Sequence, residues 1–286
     1  VLMVSGSDMH GTPITVTAQQ EGKTPEQVAM EYHKLNSNSI EKMGISFDLF
    51  SHTHTKEHAE IALSILKKLD DNGYIEPRIS EEPYDPIAKQ FLPDRYVEGT
   101  CPHCKCESAR GDQCDDCGKT LDSKELINPR SKLNPDAEIE FKETEHLFFK
   151  LSEFRDTLLE WLSEGKEHWR PSVINFTRNW LKEGLIDRAV TRDLEWGIEI
   201  PREGYESKRM YVWFEAVMGY YSASVHWAKN QGKPDEWKKW WESEESEHYY
   251  FMAKDNIPFH TIIWPAMLSG CGYKLPYDVP ANEYLL

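Results

Sequence analysis

The stretch Tyr249–Pro265, Tyr-Tyr-Phe-Met-Ala-Lys-Asp-Asn-Ile-Pro-Phe-His-Thr-Ile-Ile-Trp-Pro, decides how this chain is read. Its apolar, aromatic opening, Tyr249–Met252, has the length and character of a buried strand. The run breaks at Lys254, Asp255 and Asn256, then resumes as a helical pattern through Phe259, Ile262, Ile263 and Met267. In open α/β sheets ligands sit beyond the carboxyl ends of strands. Here that turn offers a cation, a carboxylate and an amide, with His260 and Trp264 four residues apart behind it. An imidazole and an indole so spaced either wall a small apolar pocket with one polar handle or belong to a buried helix.

The amino-terminal end has the same design. Val1–Val4 reads as a buried strand, and residues 5–13 as the loop leaving its carboxyl end. Asp8 and His10 make that loop either a ligand loop or an ordinary turn. Thr24, Pro25 and Gln27 supply an N-cap, Pro at N1 and a capping-box partner, so a helix should run from there to about Met43-Gly44. A second, signalled by Thr55 and by Ile61, Ile65, Leu66 and Leu69, should stop at Asn72-Gly73. His52, His54 and His58 raise the question of a metal, but a polar helix start without cysteine reads as solvated surface.

Further on, Pro77–Pro93 has weak periodicity and reads as a linker. Cys101-Pro-His-Cys104 and Cys114-Asp-Asp-Cys117 follow, two Cys-x-x-Cys pairs. Two such turns make a closed tetrahedral Zn²⁺ site with no open position for water, hence a structural one. Cys106 and His103 stand close enough to compete as ligands. A disulfide framework is disfavoured because Cys106 and Cys271 are isolated and no secretory context is visible. Glu145–Phe149 reads as a strand, Ser152–Glu164 and Pro171–Glu183 as amphipathic helices, and Ile198–Pro201 as a short strand. Arg192 lies in a polar turn. Tyr211–Ala216 reads as another buried strand, with Trp213, Ala216 and Tyr220 past or at its end, lining either a pocket or plain core. Lys229–Glu247 reads as a surface helix with one aromatic face, and Ala281–Leu286 as a final strand.

Two α/β half-patterns, residues 1–76 and 207–286, thus flank a zinc-bearing insertion, residues 77–206. The expected fold class is α/β, a Rossmann-like nucleotide-binding fold split by a zinc-knuckle insertion. Charged residues at 29% and a net charge of −16 fit a water-exposed globular protein and disfavour a general basic field for nucleic acid, DNA included. No apolar run approaches the roughly 20 residues that span a bilayer, and a cytoplasmic location is expected.

Ser7–Ile14, the knuckle, Tyr211–Ala216 with Gly219-Tyr220, and Lys254–His260 occur together in this order. In this combination the chain resembles the central part of the methionyl-tRNA synthetases, and the wording of Lys254–His260 resembles their archaeal and eukaryotic branch. The resemblance implies a class I synthetase: methionine attacks the α-phosphate of ATP, brought with Mg²⁺, and the methionyl group then passes to tRNA(Met). It implies that Trp213, Ala216, Val217, Tyr220, Asn256, His260 and Trp264 surround L-methionine, with a histidine hydrogen bond to sulfur. By the same resemblance His10, Lys254 and Asp255 serve ATP, and Asp8 and Arg192 stabilise the activation transition state.

Some features depart from the family. Neither His-Ile-Gly-His nor Lys-Met-Ser-Lys-Ser occurs in these 286 residues, so an internal fragment inactive by itself is expected. Val217 stands where many relatives have proline. Ser131 and Asn134 stand where some carry a second Cys-x-x-Cys, so one zinc per chain is expected. A leucine, isoleucine or valine enzyme would need a larger editing insertion than about 130 residues allow. A non-catalytic tRNA-binding or scaffold module with this fold is the remaining alternative.

Overall fold

A computed structural model describes residues 1–93, 96–111, 114, 116, 117, 121, 123–134 and 136–283. Gly118 and residues 284–286, part of the expected knuckle and final strand, lie outside the described residues. The chain forms two compact units, one of residues 1–76, 148–190 and 210–286 and one of residues 77–147 and 191–209.

In the first unit the strand Val4–Ser7 pairs in parallel with Leu49–His52, Gly6 opposite Ser51. The first strand therefore starts three residues later than its apolar run. Met252–Ala253 pairs in parallel with Ala281–Asn282. Parallel neighbours need crossover connections, and helices supply them. Pro25–Lys42 starts with a full capping box between Thr24 and Gln27, and Lys56–Asp71 is capped by the Thr55 hydroxyl.

Three expectations fail in this unit. Tyr211–Ala216 is not a strand: the strand is Lys208–Met210, and the chain then turns helical through Val212–Glu215, Ala216–Met218 and Gly219–Asn230. A short apolar run looks alike in a strand and a buried helix, so periodicity could not separate them. The aromatic surface helix shrinks to Lys238–Trp241, because Gly232 (φ 69°) and Pro234 stop the preceding one. Tyr249 makes only an isolated bridge to Asp278, which leaves the strand two residues long.

Residues 148–190 were expected inside the insertion, yet they pack in the first unit. The helices Arg155–Trp161 and Pro171–Glu183 bury Leu158, Val173 and Leu181. Thr177 donates to Thr261 Oγ1 at 2.8 Å, and the Trp169 indole donates to the Tyr277 carbonyl at 2.6 Å. Gly270 explains the closeness: a Cβ there would lie 2.7 Å from Leu69 Cδ2 and 2.9 Å from Phe154 Cζ.

In the second unit the supposed linker is part of a strand, Ile75–Asp85, paired antiparallel with Gln90–Phe91. Its alternation is carried by charged residues, so it does not register as a hydrophobic period. Val97–Thr100 lies between Ala109–Arg110 and Ile127–Ser131. Ile198–Pro201 contributes only a bridge, Glu199 to Arg209. Buried Asp85 joins these pieces. It accepts from the Ile87 and Ala88 amides at 2.9 Å each, and from Ser131 Oγ and Asn134 Nδ2 at 2.8 Å each. Burial alone would raise its carboxyl, but these donors pull it below the ordinary value. The two residues standing in place of cysteines therefore serve a carboxylate.

Candidate functional site

A cavity of about 210 Å³ opens in the first unit. One side is Ser5–Asp8 together with Ser51–Thr53, the carboxyl ends of the two parallel strands; the other comes from Trp213, Ala216, Val217, Tyr220, Asn256, Phe259 and His260. This is the place where α/β sheets hold ligands. Six of the seven residues expected around the amino acid line it. Trp264 does not. Its indole N–H donates to the Tyr250 hydroxyl at 3.0 Å, and the ring is fully buried. A buried indole needs an acceptor, and this one holds the ring behind the wall. Tyr250 packs edge-on against Tyr220 at 5.0 Å.

Phe259 went unrecognised in the sequence. Its ring stacks on Trp213 at 4.9 Å and 21°, extending the aromatic wall. Phe259–Ile263 forms a wide π-type turn between Pro258 and Pro265, neither of which has an amide proton to donate.

His260 is buried, and both ring nitrogens are engaged. Nδ1 lies 2.8 Å from the Asn256 carbonyl and Nε2 lies 2.7 Å from the Tyr220 hydroxyl. A carbonyl only accepts, so Nδ1 carries the proton and Nε2 accepts from Tyr220. Burial lowers His260 to about 4, so the ring is neutral. It has no proton to give to a thioether, contrary to expectation. Burial also pushes the Tyr220 phenol up to about 12.

Asp8 stands at the rim of the cavity with its outer edge in solvent. The surrounding protein, and then the Glu215 charge, push its carboxyl up to about 7, against the His10 and Met9 amides and the His10 ring, which lower it. His10 lies behind it, 4% exposed, with Nδ1 2.7 Å from Glu215 Oε1. His58 Nε2 lies 2.5 Å from the other Glu215 oxygen. The histidines expected on solvated surface thus divide: His58 is fully buried, and His52 lines the cavity. Burial is the first cause that lowers His52 to about 4. Buried Glu215 was read as part of a strand, and nothing in a Trp-Phe-Glu-Ala run signals a carboxylate bridging two imidazoles.

Lys254 and Asp255 are exposed and outside the cavity lining, in the turn Lys254–Asn256 of which only Asn256 reaches the cavity, and Lys254 pairs with Glu283. Arg192 belongs to the second unit, in the strand Thr191–Asp193. Beside it His146, Asp193, Thr144 and Lys208 form a network, Lys208 Nζ lying 2.8 Å from Asp193 and 2.6 Å from Thr144.

The Cys101, Cys104, Cys114 and Cys117 sulfurs all lie within 4.8 Å of one another. Cys101–Cys117 is 3.9 Å and Cys104–Cys114 is 3.5 Å, too long for a disulfide. Zn–S bonds of about 2.3 Å in a tetrahedron require sulfurs about 3.8 Å apart, so the four residues fit zinc. They would hold it as a closed structural cross-link.

All 286 residues match the model of the family described as tRNA synthetases class I (M). The chain belongs to that family. It is 58% identical over its whole length to a methionine--tRNA ligase of Dehalococcoides mccartyi, covering 51% of that protein. It is 50% identical over its whole length to one of Thermoplasma acidophilum, covering 52%. The chain spans about half the length of the curated relatives it matches. Its fold is similar to that of Mycobacterium tuberculosis methionyl-tRNA synthetase bound by methionyl-adenylate, with TM-score 0.73, 21% identity, all of this chain and 50% of that one covered. The mixed α/β class I synthetase fold is thereby established. Among the described residues no helix is long and apolar enough to cross a membrane.

Proposed function

We propose that the intact protein is a cytoplasmic methionine–tRNA ligase. A methionine carboxylate oxygen attacks the α-phosphorus of ATP, releasing pyrophosphate, and the 3′-terminal adenosine hydroxyl of tRNA(Met) then displaces AMP from the adenylate. The observation that carries this is the cavity, with one ionisable rim and one aromatic wall. Asp8 at the rim suits a charged amino-acid head, and Trp213, Phe259 and Tyr220 offer polarisable surface to a soft, unbranched tail. Because His260 has no proton to offer, the sulfur is recognised by packing rather than by an imidazole hydrogen bond.

In this proposal Ala216, Val217 and Asn256 complete the methionine site, and Trp264 supports it from behind. His10, Lys254 and Asp255 serve ATP with its Mg²⁺. Asp8 acts on the transition state from the cavity rim, and the role the resemblance implies for Arg192 is that of a guanidinium offsetting developing charge. Zinc on the four cysteines cross-links the second unit.

The test is ATP–pyrophosphate exchange by the intact protein with each amino acid in turn. Exchange with methionine alone is expected. Exchange with another amino acid would move the substrate, and no exchange would favour a non-catalytic tRNA-binding or scaffold protein.

A further inference from the structure

Glu215 has a setting that the cavity does not explain. It follows Phe214 and precedes Ala216 in the helical segment that supplies Trp213, Ala216 and Tyr220, yet it is not at the cavity wall. It is fully buried. Its two oxygens take separate partners, His10 Nδ1 at 2.7 Å and His58 Nε2 at 2.5 Å. The hydrogen bonds from the two rings hold the carboxyl below its ordinary value despite burial, so it is ionised and accepts from both.

Those partners lie on different elements. His10 is in the loop that carries Asp8, and His58 is in the first turn of the helix Lys56–Asp71. His58 returns to Glu215's own segment through Ser222 Oγ, 2.8 Å from Nδ1. His10 Nε2 meets His54 Nδ1 at 3.1 Å, which ties the loop to the approach of that same helix. One carboxylate thus links the Asp8 loop, the histidine helix and the aromatic wall. A buried charge is a poor device for stability, because desolvation offsets much of what its partners return. Its geometric effect is specific: two imidazoles fixed by one rigid planar acceptor.

We infer that Glu215 is a positioning residue, which through His10 and His58 holds the Ser7–Gly11 loop and the Val212–Tyr220 segment in register across the cavity. This rests on the proposed function for its catalytic consequence but not for its structural one. Misalignment of opposing walls by a fraction of an ångström reduces turnover more than affinity, because reacting atoms must meet in a near-attack geometry.

The experiment uses the intact protein and Glu215→Gln, which keeps the shape but puts an N–H where one imidazole needs an acceptor. Two quantities are read: amide hydrogen exchange by segment, and methionine-dependent ATP–pyrophosphate exchange. The expected result is at least tenfold faster hydrogen exchange confined to Ser7–Gly11 and Val212–Tyr220. With it, kcat falls at least tenfold while the methionine KM moves less than threefold. Combining the change with His58→Gln should lose no more than Glu215→Gln alone. Unaltered hydrogen exchange, acceleration that extends equally to Pro171–Glu183, or an unaltered kcat would each overturn the inference. If Glu215→Gln does not fold, His58→Asn cuts one arm and reads the same two quantities. A wild-type protein without exchange activity would overturn the proposed function, and the hydrogen-exchange pattern would then decide the bracing by itself.

Discussion

The Tyr220 hydroxyl donates to Nε2 of His260 across 2.7 Å, and the Asn256 carbonyl on the far side of the ring dictates that direction. The Tyr220→Phe change removes the donor and leaves a buried ring nitrogen unpaired, at about 1–3 kcal/mol. On the proposed function the methionine KM should rise roughly tenfold, since the wall that meets the side chain loses its anchor, one factor of ten being about 1.4 kcal/mol. Steady-state exchange kinetics check this; an unchanged KM would remove the pair from recognition.

Acid sensitivity follows from the same ring. His260 falls from 6.5 to about 4 on folding, so the unfolded chain binds the proton first. Stability is therefore lost as pH falls from about 6.5 to about 4, by up to roughly 3 kcal/mol. Asp8, raised from 3.8 to about 7, acts in the opposite sense: it favours the folded state as pH falls through 7. Melting temperatures from pH 4 to 8 should show a shallower acid limb for His260→Gln. Asp8→Asn should lose the gain in stability that the wild type shows as pH falls through 7.

Metal analysis should find one zinc per chain, lost in Cys114→Ser and kept in Cys106→Ser. Cys106 is not in the four-sulfur cluster, and its sulfur lies 3.5 Å from Ser108 Oγ. Chelation should accelerate proteolysis near residues 97–131 before it affects residues 4–52, because a closed thiolate site supplies folding energy locally. Two zinc ions per chain would contradict this.

Gly6 admits no side chain. A Cβ there would lie 2.7 Å from the Ser51 carbonyl oxygen, a backbone atom of the paired strand. Gly6→Ala must separate the strands that form the cavity floor, at about 2–4 kcal/mol. Denaturant unfolding measures the cost, and a loss below 0.5 kcal/mol, the scale of ordinary surface substitutions, would show that the strands give way freely.

Asp85→Asn replaces a pure acceptor facing four donors with a group that itself donates. The expected cost at pH 7 is about 2–3 kcal/mol. Since the folded carboxyl lies below its ordinary 3.8, the contribution is present above about pH 4 and lost as pH falls through the folded value. The stability difference between wild type and variant should therefore narrow as pH falls below about 4, a result thermal melts can read.

The sequence by itself determined the features whose signals are local. Capping at Thr24 and Thr55, the helix Pro171–Glu183, and the paired Cys-x-x-Cys turns each need only a few neighbouring residues, and ordered motifs were enough to mark the synthetase resemblance. Tertiary structure decided what depends on partners distant in the chain. Tyr211–Ala216 became helical, and residues 148–190 joined the first unit through contacts such as Gly270 against Phe154. Trp264 turned away from the cavity to satisfy its indole at Tyr250, while Phe259 turned toward it. Glu215 found imidazoles 205 and 157 residues away. The physical reason is common to all: burying a polar group requires a partner, and the partner is chosen by how the chain packs rather than by what stands beside it in sequence.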